Sequence, residues 1–417
     1  MKINTFIQDF LNRKGAYIFS STLLSKILSF LLSIIVIRIL NKEDYGNLMY
    51  AYTIVSFLMP FMGAGIFQSF LRFAPVQNKQ YNKKILFRYI FISGTLISFI
   101  LAFTLAFISF FITKNLPDAH QYLLYFSFLI VSLFIFESVK NYFRVFFLNK
   151  AYAQLEIIHT ILIFIVGSIS TFLWGGTGFI ATLIIIPFLL SVYIILKKHL
   201  LKTDNNTLTI NKKQLWWYGI YTSFGGLISQ LIFAIDIISI GYLIQDSSSI
   251  AQYKALSLIP FSLLFLPGIV LKTDFVKLVQ ESFNLSFLKT YIKNFMLIFA
   301  VVSVLLLILT YTFGDILILF LLGESYNNTS ELLYVFMWGV AGAFIFRVPF
   351  GNLLAAIGWT KINTIIAIIT LIADIILNYF WIEKWGIMGA AYATSLLLWI
   401  SGLATFLVFI IYLRKIR

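Results

Sequence analysis

The 417-residue chain has no cysteine, so it can hold neither a disulfide nor a thiolate metal site. Charge is scarce too. Only 11% of the residues are Asp, Glu, Lys or Arg, against about 25% in a soluble domain. Histidine occurs three times, at His120, His159 and His199, and no spacing among them makes a metal-ligand set. No G-x-x-x-x-G-K-[ST] loop is present, which excludes the usual cradle for ATP phosphates. There is no H-E-x-x-H stretch and no plausible Ser/His/Asp set. No catalytic residue, metal or cofactor is therefore assigned, and the chain is not expected to be an enzyme.

What is abundant is apolar. Hydrophobic residues make up 60% of the chain, and the mean hydropathy is +0.95. Apolar runs of about 20 residues recur from residue 16 to the C-terminus, each long enough to cross a bilayer core of roughly 30 Å as a helix. The alternation typical of barrel strands is missing. The expected class is an all-α integral membrane protein. The first run, Ala16 to Leu40, is too long for a signal-peptide core and lacks a small-residue cleavage site after it, so it reads as a retained helix.

The runs predict twelve transmembrane helices. They fall at about 16–40, 45–71, 87–112, 121–147, 152–173 and 178–198, then 215–243, 249–271, 288–313, 329–353, 361–382 and 388–413. This assignment sorts the cations. Of the 31 Lys and Arg residues, 24 fall on the side of both termini and three on the other side, Lys42, Lys114 and Lys384. That asymmetry makes the first side cytoplasmic. It also accounts for the net charge of +15 through membrane topology, with no need for a nucleic-acid partner. The longest inner connection is polar and basic and divides the chain into a lobe of residues 1–198, a linker of 199–214 and a lobe of 215–417.

An internal repeat supports two lobes. Shifted by 211, Trp174-Gly175-x-x-Gly178 lands on Trp385-Gly386-x-x-Gly389, and Lys150 lands on Lys361. A short outer turn, Asn41 to Gly46, matches Asp246 to Ala251 at a shift near 205. Six spans per half, both halves starting inside, make a parallel repeat about an axis along the membrane normal. Two such lobes with a cleft between them are the architecture of an alternating-access transporter. Residues 385–394, WGIMGAAYAT, are rich in small residues and read as helix packing.

Ionisable groups inside spans are costly and usually face a cavity or one another. Lys26 lies near mid-depth of the first span, on a face with Thr22, Ser29 and Ser33, and Arg38 lies nearer its outer end. Thr222, Ser229 and Asp236 form a stripe on the seventh span, and Asn363, Thr370, Asp374 and Asn378 on the eleventh. Lys254 and Arg347 lie in the eighth and tenth. Each cation either lines a cavity or snorkels to a surface. Asp236 and Asp374 are either counter-charges or an ion-coupling site. Glu137 and Glu156 are expected to pair with Lys140, Arg144 or Lys150. Fixed cations in a cavity favour an anion, phosphate above all.

The chain resembles the Wzx-type O-antigen and capsule flippases of the multidrug/oligosaccharidyl-lipid/polysaccharide exporter superfamily, whose fold is the MATE-like one. The resemblance rests on Arg38-Ile-Leu-Asn-Lys-Glu-Asp-Tyr-Gly46, on Asp236 in Ala-Ile-Asp-Ile-Ile-Ser-Ile-Gly241, on Gly351-Asn-Leu-Leu-Ala-Ala-Ile-Gly358, and on WGIMGAAYAT. The family's first motif usually has Gly-Pro where this chain has Asn41-Lys42. The resemblance implies an undecaprenyl-pyrophosphate-linked oligosaccharide repeat unit as substrate, moved between leaflets of the bacterial inner membrane. It also implies a polysaccharide polymerase as a contact and H+ or Na+ as a coupling ion. On that reading Lys26, Arg38, Lys254 and Arg347 meet the pyrophosphate, and Asp236 and Asp374 are counter-charges or coupling groups. The rival within the superfamily is a multidrug or cation antiporter with a dominant acidic site. A membrane glycan polymerase or ligase would need a large outer loop, and the outer loops here are short.

Overall fold

The computed structural model describes residues 15–75, 80–203, 211–268, 270–271, 278, 281, 283–327 and 329–415. The side chains of residues 15–22, of Tyr81, of Thr360 and of part of the stretch 225–233 lie outside that description, so Thr22 and Ser229 do too. So do residues 204–210 of the 199–214 connection and the inner-side cations Lys2, Arg13, Lys14, Lys79, Lys272, Lys277 and Arg417.

Among the described residues the chain is helical and has no strands. Nine helices among the described residues are long and apolar enough to cross a membrane. One of them, Asn149–Lys197, breaks at Gly175 and supplies two passes. Gly15–Ile39 and Lys212–Leu243 are only partly described. Together these are consistent with the twelve passes expected. Phe107, Phe172 and Phe320 are 81%, 75% and 74% exposed, while Ser98, Ser191 and Thr405 are buried. A bilayer explains this inversion, because lipid takes the large apolar groups and helix contacts take the small ones. The chain is a multi-pass membrane protein.

Two compact units part between Gln230 and Leu231, inside a helix, where the sequence pattern placed the division at 199–214. The reason is local. The first part of that helix packs on its own unit, with Ser223 Oγ donating to Pro60 O at 2.7 Å and Gly219 set against Gly65.

The first unit begins with α1 (Gly15–Ile39), which lies along α7 (Asn149–Lys197). Asn41 caps α2 (Lys42–Leu58), its Oδ1 accepting from Asp44 N at 2.8 Å. After Pro60 the helix breaks, and Gly63, Ala64 and Gly65 all take positive φ before α3 (Ile66–Phe73) resumes. Ser98 Oγ accepts from the freed Gly63 N at 2.9 Å. A Cβ on Gly63 would meet the Phe134 ring at 2.3 Å, so the break needs glycine there. Helices α4 (Gln80–Ile112), α5 (Ala119–Ser127) and α6 (Leu129–Val145) follow, and α8 (Lys212–Leu243) carries the chain into the second unit.

The second unit continues with α9 (Ser247–Ser262), capped by Asp246, and α10 (Leu285–Leu322). Helix α11 (Ser330–Gly342) passes through a π-helical turn, Ala343–Arg347, into α12 (Val348–Ala356). Helices α13 (Thr360–Trp385) and α14 (Ile387–Lys415) form the last hairpin. The unit's aromatic core stacks Phe295 on Phe299 at 4.5 Å, with Phe344, Phe350 and Phe409 around them.

The repeat is visible in backbone geometry. Gly175 has φ 60 and ψ −144, and Gly386 has φ 57 and ψ −141. A Cβ on Gly178 would lie 2.1 Å from Ser170 O, and one on Gly389 would lie 2.0 Å from Trp381 O. Residues 170 and 381 are also 211 apart.

Candidate functional site

The densest buried polar group lies in the second unit. Asp236 comes from α8, Tyr253 from α9, Asp374 and Asn378 from one face of α13 at i, i+4, and Thr394 from α14. Asp236 is 3% exposed, Asp374 3% and Asn378 0%. Asp236 Oδ2 accepts from Tyr253 OH at 2.5 Å and Thr394 Oγ1 at 2.7 Å, and its Oδ1 accepts from Asn378 Nδ2 at 2.8 Å. Asn378 Nδ2 also reaches Asp374 Oδ1 at 3.3 Å. One amide thus ties two carboxylates together.

Among the described residues, neutral groups alone donate to these carboxylates. The charge of Lys254, partly buried on α9, acts on Asp236, yet no ion pair joins them among the described residues. Asn378 Oδ1 is buried with no hydrogen-bond partner. Two carboxylates, an amide oxygen and a hydroxyl form an oxygen-only donor set, which suits a hard cation or a proton. Buried charge without a counter-ion is strongly disfavoured, so the set calls for positive charge.

Arg347 stands apart from this group. It closes the π-helical turn, and its Nη1 donates to Asn363 Oδ1 of α13 at 2.9 Å. Gly351, one turn on, leaves room for the guanidinium, since a Cβ there would lie 3.1 Å from Nη1. In the first unit Lys26 and Arg38 are both exposed on α1, and Ser29 beside them is exposed too. Of the six residues singled out from the sequence, the structure brings Asp236, Asp374 and Lys254 together, gives Arg347 its own partner, and leaves Lys26 and Arg38 in the other unit. Within the stripes, Thr222 and Thr370 donate to their own helix backbones.

A second charged group lies in the first unit. Lys140 Nζ is 2.9 Å from Glu137 Oε1 and 2.8 Å from Glu156 Oε2, which fulfils the pairing expected of the two glutamates. His159 stacks on Phe136 at 4.1 Å. Every charge here has an opposite at contact distance, as in a structural clamp.

Tyr253 and Thr394 escaped the sequence reading. Thr394 ends the WGIMGAAYAT stretch, whose small residues predict packing alone. Gly389 and Ala390 do pack, but Thr394 donates to Asp236. The available signal was its register, seven residues above Ser401 and one turn from Ala390 on the buried face of α14.

Residues 11–267 match the model of a family described as polysaccharide biosynthesis protein. A Shigella flexneri protein named for O-antigen transport is 24% identical over 185 residues, 44% of this chain and 44% of that one. The chain thus spans under half the length of that relative. Among solved structures, the lipid II flippase MurJ in an inward closed conformation has a TM-score of 0.77 at 19% identity, covering 95% of this chain and 88% of that one. An inward-facing MATE-family multidrug resistance transporter of the MOP superfamily has a TM-score of 0.67 at 12% identity, covering 94% and 95%. The fold is therefore that of these membrane transporters, as the MATE-like architecture read from the sequence required. With more than half its length matched, the chain belongs to the polysaccharide biosynthesis protein family.

Proposed function

We propose that the chain is a flippase. It moves undecaprenyl-pyrophosphate-linked oligosaccharide repeat units from the cytoplasmic to the periplasmic leaflet by alternating access, for O-antigen or capsule synthesis, where a polymerase takes them over. The observation that carries this reading is the family match, joined to a fold shared with a flippase of another lipid-linked sugar, lipid II. The cation asymmetry supports cytoplasmic termini, and the flippase reading puts the protein in the bacterial inner membrane. The lobes of the repeat are residues 1–198 and 215–417, joined by 199–214. Lys26 and Arg38, exposed on a helix with no acidic residue between 15 and 42, are the first contacts for the pyrophosphate. Lys254 serves Asp236 as a counter-charge. Asp236 and Asp374, with Asn378 and Thr394, hold the coupling ion, H+ or Na+.

Deletion of the gene in its host tests the reading. Lipid-linked repeat units should accumulate on the inner side, and the intact gene should restore surface glycan while Lys26→Ala should not. Unchanged surface glycan in the deletion strain sinks the proposal. A multidrug or cation antiporter is the second reading, and the buried Asp236–Asp374 pair favours it. It predicts drug resistance on expression, with no change in lipid-linked intermediates.

A further inference from the structure

We infer that the cation-rich end of the first unit holds a site for the headgroup of an anionic phospholipid. It is built by Arg88 and Tyr89 of α4, Thr203 after the turn that follows α7, and Lys212 at the start of α8. The site is independent of what the protein transports. Arg88 Nη1 donates to Thr203 Oγ1 at 3.2 Å, and Trp216 Nε1 donates to Tyr89 OH at 3.0 Å. Lys212 Nζ lies 5.4 Å from the centre of the Tyr89 ring, a cation–π distance. Neither cation meets a carboxylate among the described residues. Both hydroxyls accept in these bonds, so each keeps its own hydrogen to donate. The other guanidinium N–H groups and the Lys212 ammonium have no acceptor among the described residues. Two cations and two hydroxyls thus offer donors with no competing carboxylate, the chemistry that takes a phosphate.

The position is fixed by well-packed parts. Ser69 Oγ of α3 donates to Leu215 O at 2.6 Å and pins the first turn of α8 to the same unit. His199 takes a φ of 48°, and buried Leu200 closes the turn with its N–H on Ile195 O at 3.2 Å, so the chain returns to α4 at Thr203. Lys197 behaves differently at this end. Its Nζ donates to Tyr193 OH, one turn back on its own helix, at 2.7 Å. A lipid fits better than a soluble anion because of what lies beside the site. Trp217 and Tyr221, one turn apart on α8, are exposed with ring centres 5.7 Å apart, as aromatic side chains are at the headgroup level. Basic groups between helices on the cytoplasmic side suit anionic headgroups. Thr203 and Lys212 flank residues 204–210, so a headgroup there holds both ends of the 199–214 connection on α4.

The test uses the full-length purified protein in neutral detergent, with dioctanoyl phosphatidylglycerol as probe and dioctanoyl phosphatidylcholine as the net-neutral control, binding being read by calorimetry. Arg88→Gln should weaken phosphatidylglycerol binding about tenfold, the value of one charge-assisted contact, and Lys212→Gln should do the same. Lys197→Gln, an equal change of charge at the same end, should leave binding unchanged. Melting temperatures of the lipid-free variants should match wild type, since all three side chains are exposed. Equal binding of the two lipids, or an equal loss in Lys197→Gln, overturns the site and leaves only diffuse surface charge. Displacement of the probe by inorganic phosphate at equal concentration would make it a soluble-anion site. Displacement by farnesyl pyrophosphate at far lower concentration would make it a substrate contact. Either result overturns the headgroup assignment.

Discussion

The two halves carry the same hairpin with different contents. Gly175 and Gly386 share one backbone conformation, and Gly178 and Gly389 press on backbone oxygens 211 residues apart. At the same shift, however, Asp374, Asn378 and Thr394 correspond to Ile163, Gly167 and Leu183. Gly167 faces Leu32, a plain apolar contact. The first half keeps its buried charge elsewhere, as Lys140 clamped between Glu137 and Glu156. One half thus has a paired cation and the other an acid pair held by neutral donors. The difference separates a shared backbone scaffold from contents that only one half carries.

The largest effect should come from breaking the clamp. Lys140→Met leaves two carboxylates without their cation and should cost about 3–5 kcal/mol, as when one partner of a buried pair is removed. Asp236→Asn should leave stability within about 1 kcal/mol, because a neutral amide relieves buried charge, and under the proposed coupling role it should abolish ion-dependent transport. Thermal unfolding of both proteins in one detergent checks the contrast. A large loss in Asp236→Asn with none in Lys140→Met would reverse the assignment of structural and functional groups.

Shared scaffold predicts equal damage. Gly178→Ala and Gly389→Ala each drive a Cβ to within about 2 Å of a carbonyl oxygen, and each should cost roughly 2–3 kcal/mol through forced backbone shift. Monodisperse yield and melting temperature should fall alike in the two variants. If one is tolerated, the hairpins are not equivalent.

Divergent content predicts unequal damage. Thr394→Val removes a hydroxyl oxygen beside Asp236 and, under the proposed coupling role, should weaken sodium binding by about 2 kcal/mol, the scale of one polar contact to a charged group. Leu183→Thr, the converse change at the matching site, should confer no ion dependence. Sodium-dependent thermal stabilisation across a pH series reads both.

The sequence pattern made much of this legible, for physical reasons. Span lengths and cation asymmetry come from the bilayer and are local, so the helices were readable one by one. The repeat was readable because a positive-φ turn demands glycine, and glycine shows in sequence. Asp236, Asp374 and Asn378 stood out because polar residues are costly in lipid. Tyr253 and Thr394 did not, since tyrosine and threonine are ordinary in spans and only tertiary packing brings them to Asp236. The point where the compact units part is likewise hidden from composition. It falls within α8, and composition marks loops, not the point where a helix changes neighbours.

The smallest contrast separates the two caps. Asn41 and Asp246 occupy matching turns, and both accept backbone N–H groups at the start of the next helix. Asp246 takes Ser248 N at 3.1 Å, Ser249 N at 2.9 Å and Ser249 Oγ at 2.7 Å. Partial burial pushes its carboxyl upward, but these bonds outweigh that and hold it below the ordinary carboxylate range. A lowered folded-state pKa means the cap contributes fully above the unfolded value and is lost as pH falls through the folded one. Asn41 carries no charge and has no such dependence. Asp246→Ala should cost about 1 kcal/mol near neutral pH, as a lost cap does, and progressively less in acid, whereas Asn41→Ala should cost a similar amount at every pH. Melting curves of the two variants between pH 3 and 7 decide it: parallel curves would mean that the carboxylate at Asp246 caps no better than a neutral amide.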